Sequence, residues 1–567
     1  MNTPTSFAWQ TAEQLDRFLG DPHDAGARMP DAQTLADDDA RRFPDAAAAA
    51  LNDWGLHRFY IPTAVGGDFD DALRTLLLMR QVSRRDVTAA VGHGKTLLGA
   101  VCAWTAADRS AERMAAIVSA GDPVSWGLTE EGRGSDIGRS ATTARIGSDS
   151  IAVDGHKWPI GNATRGRAIT VLARTAERSG PRSLSLVLVD KQEVDDATLS
   201  YRPRRPLHGI RGADISGIDF HGTRVDPDGL VGPEGHGLEL VLKSLQLTRT
   251  LCAALSLGAG DHALRLVLEG SHGGGGIARR DPEAVATAVA DQLLAEVVGF
   301  VGARTIQTAP EEMGLVSAFV KYLVPDAVDS SVREIGGVLG AEAHLTTGRT
   351  AHFQKIARDA RVVAIFDGNS VVNLNVIAGE FSSIVRAAED PAPDPGEVSA
   401  ALAFDVRPTE LDLTRLRLVT RRGSTLLTAL PGLASELDHD LTPPDIRAAV
   451  NALAADFDDM IAEARGAERA SRPPVEQFAL AERLAFAFAG AAALAVHRAA
   501  RARMDTPLWD DDLWLRAVLH RVCRRLGVSP PEQRSYARQL AATSEALIQS
   551  GQTVSLLPRW WNDRGTT

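Results

Sequence analysis

The N-terminal part of the chain places apolar residues at helical spacing, with short polar breaks between them. Residues 71–85 predict a helix with one broad apolar face, formed by Leu73, Leu76, Leu77, Met79 and Val82. The Ala-rich segment 44–51 starts with a proline suited to a first helical turn and predicts a helix that ends before Asn52. Turn residues at 59–62 and 66–68 separate the two helices. Residues 1–124 are therefore predicted to form a helical domain.

Residues 125–237 are predicted to be rich in strands. The stretch 126–162 alternates apolar and polar residues bounded by Gly and Asp, which is typical of strands and turns. The clearest strands are predicted at 169–173, 183–189 and 215–220. No helix of useful length fits 126–162. The pattern favours antiparallel strands over a parallel nucleotide-binding unit, so this part is predicted to be a β-domain.

From Leu238 onward the apolar spacing is helical again. Two series of residues show it, one of Val241, Leu245, Thr248, Cys252 and Leu255, the other of Val285, Val289, Leu293, Val297 and Val301. A Gly-rich loop at 273–276 separates them. Helices at 314–335 and 362–385 then complete the simplest four-helix bundle, which we assign to residues 238–388.

A Pro-rich linker, made of Pro391, Pro393, Pro395 and Gly396, precedes one more helical domain at 397–567. Its predicted packing anchors are Trp509, Trp514, Trp560 and Trp561. The predicted fold class is α+β, mainly α. It comprises an N-terminal helical domain, a middle antiparallel β-domain, a four-helix bundle and an additional helical C-terminal domain.

Composition narrows the function classes. The 567 residues carry a net charge of −12, which disfavours a nucleic-acid groove or an anionic membrane surface. The start of the chain does not have the pattern of a secretory signal, and the longest apolar run, 484–496, predicts a buried helix because it is too short to span a bilayer. The cysteines Cys102, Cys252 and Cys523 give neither a disulfide framework nor a metal spacing. We expect a cytoplasmic protein without a metal site.

Three local motifs follow one another along this pattern. The first joins LTE at 128–130 to GSD at 134–136, and the second is GHKWPIGN at 155–162. The third spans 358–369, from RDAR to IFDGN, with two glycines at 336–337 upstream. Together with the order helical, strand-rich, helical, these motifs resemble the acyl-CoA dehydrogenase family over roughly residues 40–385, and the extra C-terminal domain resembles its extended members.

The resemblance implies FAD as the cofactor. Thr129 would then meet the isoalloxazine ring, Ser135 the pyrophosphate, and Gly161 the flavin N5 through its backbone. The full set of cofactor-binding residues implied in this way is Trp126, Leu128, Thr129, Gly134, Ser135, Trp158, Ile160, Gly161, Gly336, Gly337 and Asn369.

Desaturation of an acyl thioester needs a base for the α proton and a hydride acceptor at the β carbon. The resemblance implies Asp367 as the base, where the family has glutamate, and Arg249 as a supporting residue. Aspartate is one methylene shorter, so its carboxylate would sit about 1.5 Å further back. Some members carry the base just before the arginine, but Thr248 at that place has no carboxylate. The alternative is that Asp367 is a polar turn residue beside Gly368.

The cofactor side departs from the family pattern. Gly161 replaces a threonine whose hydroxyl lies near N5, and Pro159 replaces a tryptophan, with Trp158 one residue off register. The bundle loop at 269–273 lacks the Arg-Phe pair that reaches the flavin of a partner subunit, which leaves Arg279 or Arg280 as substitutes.

The leading prediction is an FAD-dependent enzyme that desaturates an acyl-CoA or a carrier-protein-bound acyl group. The resemblance implies an electron-transfer flavoprotein or oxygen as electron acceptor, and a homodimer as the assembly. Two alternatives remain open: a flavin-dependent oxidase or monooxygenase on the same fold, and a degenerate member that binds an acyl chain without redox chemistry.

Overall fold

The computed structural model describes residues 8–557 apart from 178–179, 181, 270–280, 438–441 and 469–472. The helices before the sheet are α1 (Ala8–Leu19), α2 (Asp31–Asp39), α3 (Asp45–Trp54), α4 (Ala72–Arg85), α5 (Val87–Ala106) and α6 (Arg109–Ser119). The predicted helix at 71–85 is confirmed, with Asp71 as its N-cap. The predicted end of α3 before Asn52 was wrong. The helix continues to Trp54, where Gly55 at φ 88° supplies a left-handed C-cap.

The middle of the chain forms a mixed sheet. Its strands are β1 (Val124–Gly127), β2 (Thr143–Ile146), β3 (Ile151–Gly161), β4 (Ala168–Arg174), β5 (Leu184–Asp190), β6 (Leu199–Arg202), β7 (Ile215–Val225) and β8 (Leu230–Val231). The strand order is β6-β7-β3-β2-β4-β5-β8, with β1 beside β4. The three strands predicted most clearly are present. Antiparallel pairing dominates as predicted, but β4 pairs in parallel with β1 and with the first residue of β2.

The bundle follows the sheet and packs against α4 and α5. Its helices are α7 (Gly237–Leu251), α8 (Ala253–Glu269), α9 (Pro282–Thr308), α10 (Met313–Leu339), α11 (Ala351–Asp359), α12 (Ser370–Gly379) and α13 (Phe381–Glu389). The continuous helix predicted at 362–385 was wrong. Asp367 and Gly368 have φ values of 56° and 104°, which an α-helix does not accommodate, so α12 begins after them. The predicted loop at 273–276 lies outside the described residues.

The rest of the chain is helical, as predicted, and packs against α9, α10 and α12. It contains α14 (Pro395–Ala401), α15 (Thr425–Thr428), α16 (Leu430–Ser435), α17 (Pro444–Gly466), α18 (Val475–Ala500), α19 (Leu513–Leu526) and α20 (Gln533–Gln549). Pro395 and Gly396 belong to the first turn of α14, so the linker is shorter than predicted. The rings of Trp509 and Trp514 pack 5.1 Å apart, whereas Trp560 and Trp561 lie outside the described residues.

Within the described residues, three helical stretches are long and apolar enough to cross a membrane by length and composition: Gly237–Glu269, Pro282–Thr308 and Val475–Ala500. In each, the most apolar 18-residue window is largely buried inside the protein, by 100%, 89% and 83% respectively. The run at 484–496, predicted to be a buried helix, is buried throughout within α18.

A buried ion network connects the N-terminal domain, the bundle and the end of the chain. Arg80 on α4 donates to both carboxylate oxygens of Asp261, at 2.7 and 2.8 Å, and contacts Glu296 at 3.3 Å. Glu296 also accepts hydrogen bonds from the hydroxyl of Ser555 and the amide of Leu556. The network therefore fixes the C-terminal segment to the centre of the bundle.

Arg80→Met is expected to lower the free energy of unfolding by about 3–5 kcal/mol, because it leaves two buried carboxylates without their cation. The measurement is urea denaturation followed by circular dichroism. The matched control is Arg58→Met, since Arg58 and its partner Asp68 are 46% and 42% exposed and such pairs contribute about 0–1 kcal/mol. Equal losses for both variants would contradict the stabilising role of the buried network.

Candidate functional site

A narrow, mostly apolar cavity lies between α4, α5 and the helix pair α7–α8. Its volume is about 40 Å³, and its apolar walls include Met79, Val91, Leu98, Leu251 and Leu255. Four further residues give the walls their polar and aromatic character: Lys95, Thr248, Cys252 and Phe366. The arrangement suits a short hydrocarbon segment held beside a few polar groups.

Asp367 lies next to this cavity, flanked by two residues of its wall. It follows Phe366 in sequence, and its Oδ2 accepts a hydrogen bond from the Cys252 thiol at 3.8 Å. Arg249, which is 8% exposed, donates from Nε to the Asp367 carbonyl oxygen at 2.8 Å. The fold thus brings together the base and the supporting arginine that the sequence implied, although they are far apart in the chain.

Gly368 permits this arrangement. A Cβ atom at Gly368 would lie 3.0 Å from Nη2 of Arg249, and its φ of 104° is one that glycine tolerates best. The Asp-Gly turn therefore packs directly on the Arg249 guanidinium.

Lys321, in the middle of α10, fixes the chain on both sides of Asp367. Its ammonium donates to the carbonyl oxygens of Val363 at 2.5 Å, Phe366 at 2.6 Å and Gly368 at 3.2 Å. Burial lowers the pKa of Lys321 to about 8. The protonated amine has three hydrogens, one for each carbonyl, so its protonation state bears on how rigidly the turn is held.

Cys252 stands between the cavity and Asp367. Burial, with the neighbouring Asp367 charge, raises the pKa of its thiol, so the sulfur stays protonated and acts as a donor to the carboxylate. Thr248, one helical turn earlier, is fully buried and also faces the cavity. It places a hydroxyl at the position that, by the family resemblance, could have carried the base instead.

The first sequence motif forms an exposed loop that is anchored by a buried ion pair. Glu130 accepts hydrogen bonds from Lys157 at 2.8 Å, from the Ser140 hydroxyl at 2.6 Å and from the amide and hydroxyl of Thr142. Burial raises the pKa of Glu130, but Lys157 outweighs it and holds the value below the usual range. Burial lowers the pKa of Lys157 to about 8. The pair joins the loop to β3.

Beyond this anchor the loop leaves its polar groups accessible. Gly132 and Gly134 have positive φ values and open space where a side chain would be. Ser135 is exposed and Thr129 half-buried, and within the described residues neither hydroxyl has a hydrogen-bond partner. A glycine-rich loop with accessible amides and hydroxyls suits the close approach of a phosphate group.

The second motif lies at a bulge in β3. The pairing of β3 with β7 shifts between Lys157 and Ile160, and the amide of Trp158 donates to the Thr129 carbonyl at 3.0 Å. The Trp158 ring stacks under the Arg205 guanidinium at 4.4 Å. Ile160 points into the core of the sheet, so its side chain is not available to a ligand.

Gly161, at the end of β3, lies against the side chain of Lys95 from α5. A Cβ atom at Gly161 would come within 2.9 Å of Cγ, Cδ and Cε of Lys95. The Lys95 ammonium lies 4.8 Å from the centre of the Phe366 ring, which is also 5.2 Å from the Lys321 ammonium. Lys95 thus fills the space that a larger residue at 161 would take.

The remaining predicted cofactor residues have mixed settings. Trp126 is buried in β1, and Leu128 is half-buried just after it. Gly336 and Gly337 lie inside α10, which ends at Leu339. The glycine with a positive φ at the end of this helix is Gly340. Asn369 caps α12, because its Oδ1 accepts a hydrogen bond from the Val372 amide at 3.0 Å. Most of the bundle loop, with Arg279 and Arg280, lies outside the described residues.

In the part of the chain that the structure describes, one group of possible metal ligands lies away from this cavity. Asp31, His262 and His352 bring their ligand atoms within 4.8 Å of one another. Arg265 donates to His262 at 3.0 Å and to Asp31 at 3.3 Å, which places a positive charge where a cation would have to bind. The group is better described as a hydrogen-bonded contact between α2, α8 and α11.

Two family models match consecutive parts of the chain. "Acyl-CoA dehydrogenase, middle domain" matches residues 125–223, and "Acyl-CoA dehydrogenase, C-terminal domain" matches residues 235–381. The part of the chain that these two models match belongs to the acyl-CoA dehydrogenase family. The matches cover most of the sheet, the bundle helices α7 to α12 and the Asp367 turn, and they place the protein among the oxidoreductases of that family.

Individual relatives agree with this assignment. The chain is 25% identical over 351 residues to a probable acyl-CoA dehydrogenase, FadE25, of Mycobacterium tuberculosis, covering 60% of this chain and 88% of the relative. An acyl-CoA dehydrogenase complexed with FAD from Bacillus anthracis shares the fold over 95% of this chain and 94% of its own, with a TM-score of 0.69 and 16% identity. The fold similarity to that structure therefore includes the C-terminal helices.

A further solved structure of the same fold is the prolyl acyl carrier protein oxidase AnaB. It has a TM-score of 0.57 and 19% identity, covering 66% of this chain and 99% of its own.

Sequence reasoning missed three side chains of the site. Lys321 and Lys95 are single lysines within apolar helical runs, and a lone charge in such a run is a signal that it is buried for a reason. Cys252 gave no comparable signal, because cysteine is an ordinary core residue.

Proposed function

We propose that this enzyme catalyses the FAD-dependent α,β-dehydrogenation of an acyl thioester, with Asp367 as the base that removes the α proton. The observation that carries the proposal is the position of Asp367, whose carboxylate lies beside an apolar cavity. Arg249 and Lys321 hold the backbone around this residue through hydrogen bonds to its carbonyl oxygen and those of its neighbours. Such a carboxylate can accept a proton from a carbon placed in the cavity. The aspartate side chain is shorter than the family's glutamate, which accords with a carboxylate that lies beside the cavity wall.

FAD is the cofactor that this family membership implies, and the chain offers a fitting loop for it. The exposed hydroxyl of Ser135 and the open backbone at Gly134 suit the pyrophosphate. The backbone of Gly161 lies against Lys95, which in turn contacts Phe366 beside the Asp367 turn. When bound, the flavin supplies the acceptor for the hydride leaving the β carbon. The protein's part is to align the thioester, exclude water and take the α proton.

The acyl group is carried by CoA or by a carrier protein. AnaB, a structure of the same fold, is an oxidase of a prolyl acyl carrier protein, which keeps both carriers in the proposal. Electrons then pass to an electron-transfer flavoprotein or to oxygen. We further propose a homodimer in the cytoplasm as the working form.

The test is the visible spectrum of the purified protein, followed anaerobically while acyl thioesters are added. We expect a yellow protein whose flavin band bleaches with at least one thioester, and reoxidation in air then separates an oxidase from a dehydrogenase. A protein that stays colourless after incubation with FAD would overturn the proposed redox function and favour acyl binding without chemistry.

A further inference from the structure

Each of the other cations around the site donates to an oxygen atom of the protein, whereas Lys95 does not within the described part of the chain. Lys157 pairs with Glu130, Arg249 donates to the Asp367 carbonyl and Lys321 donates to three carbonyls. Among residues that the structure describes, the Lys95 ammonium makes no hydrogen bond and no ion pair, and its contact is with the face of Phe366. It nevertheless lines the cavity.

A cation partly enclosed by apolar side chains loses hydration, and a ligand with a negatively charged oxygen restores that interaction. The remainder of the cavity, with Met79, Leu98 and Leu255, accepts hydrocarbon. At about 40 Å³ the cavity holds a short segment of chain. A ligand that complements both features combines a short alkyl segment with an anionic group.

We propose that Lys95 is the receptor for a carboxylate carried by the acyl group, so that the preferred substrates are short ω-carboxyacyl thioesters. The inference rests on the proposed function, because it assumes that the cavity receives the acyl group. Lys95 acts on substrate choice and is not required as base or hydride acceptor.

Gly161 contributes to the proposed substrate preference because it positions the Lys95 side chain. Because Gly161 has no side chain, the aliphatic part of the Lys95 side chain can lie against its backbone. A Cβ atom at this position would come within 2.9 Å of three carbons of Lys95. Gly161→Ala is therefore expected to displace the ammonium and to reproduce the effect of removing it, although Lys95 is still present.

The test measures binding without chemistry. FAD-loaded enzyme is titrated by calorimetry with thioether analogues of glutaryl-CoA and valeryl-CoA, in which the missing carbonyl prevents proton abstraction. Wild type is expected to bind the carboxylated analogue about 10- to 100-fold more tightly than the neutral one, as for a charged hydrogen bond. Lys95→Met and Gly161→Ala should each remove that preference, and the double variant should lose no more of it than either variant alone.

Equal loss of affinity for both analogues in Lys95→Met, or no preference in wild type, would overturn the carboxylate receptor. The receptor would also be overturned if Lys95→Met bound both analogues as wild type does but its flavin were reduced more slowly by both thioesters. Lys95 would then act on the reacting thioester oxygen. The surface variant Lys243→Met, which loses a pair with Glu239, should match wild type.

The inference and the proposed function fail separately. Binding preference without any reduction of the flavin by thioesters would refute the dehydrogenation while leaving the receptor intact. Reduction by neutral and carboxylated thioesters with equal affinity would leave the dehydrogenation intact and refute the receptor.

Discussion

Asp367→Asn is expected to slow the anaerobic reduction of bound FAD by an acyl thioester by about 10²–10⁴-fold, the usual contribution of a positioned general base. The amide keeps the shape of the side chain but cannot take the α proton. Stopped-flow absorbance in the flavin band measures the rate. Flavin content should not change, because the backbone that Arg249 and Lys321 hold is the same in the variant.

Asp367→Glu is the matched control, since it restores a carboxylate and adds one methylene. Because the reach of the side chain shifts by about 1.5 Å, the rate should fall by up to about a hundredfold but stay above that of Asp367→Asn, which has no base at all. If Asp367→Asn reduced FAD as fast as Asp367→Glu, the α proton would have to leave through another group, and the base assignment would be wrong.

Lys321→Met is expected to slow the same reduction by about a hundredfold without removing any reacting group. The variant keeps the length of the side chain but loses the three hydrogen bonds to the carbonyls around Asp367. A base displaced by about 1 Å loses a factor of this size. Binding of a thioester analogue, which depends mainly on the cavity walls, should change little, so the rate constant and the affinity separate.

A rate as fast as wild type in Lys321→Met would show that Arg249 alone holds the turn. Lys243→Met again controls for removal of a lysine outside the site. A fall in affinity equal to the fall in rate would instead indicate that the whole cavity has rearranged.

The pH dependence of reduction gives Lys321 a signature of its own. Because its pKa is about 8, the amine loses one of its three hydrogens as the pH rises through 8, and one carbonyl loses its donor. The wild-type rate of flavin reduction should therefore fall above pH 8, and Lys321→Met should lack that fall.

The contribution of Lys321 to the free energy of unfolding changes with pH in the opposite direction. The folded pKa is below the unfolded value of 10.5, so Lys321's contribution to stability rises with pH from about 8 to 10.5. Loss of rate over that range is thus not loss of the fold through this group.

Several features of the fold followed from the sequence because they depend on local patterns. The helix at 71–85 was predicted from a spacing that buries one face, and the strands at 169–173 and 215–220 were predicted as short apolar segments of the strand-rich part of the chain. The family could be inferred for the same reason, since its motifs are short segments whose order is visible in one chain. The helix predicted at 362–385 ran through Asp367 and Gly368 because apolar residues at 362–366 and 371–377 continue a helical pattern on either side, although the Asp-Gly pair itself indicated a possible turn.

By itself, the sequence determined the order of helices and strands, the family and the carboxylate at position 367. The tertiary structure alone decided how that carboxylate is held and what surrounds it. Lys321 on α10 and Arg249 on α7 meet at the one turn, Cys252 reaches it from the junction of α7 and α8, and Lys95 meets Gly161 across the contact between α5 and β3. Periodicity shows which face of an element is buried, but not which residues of distant elements meet there, because those contacts depend on how the elements pack.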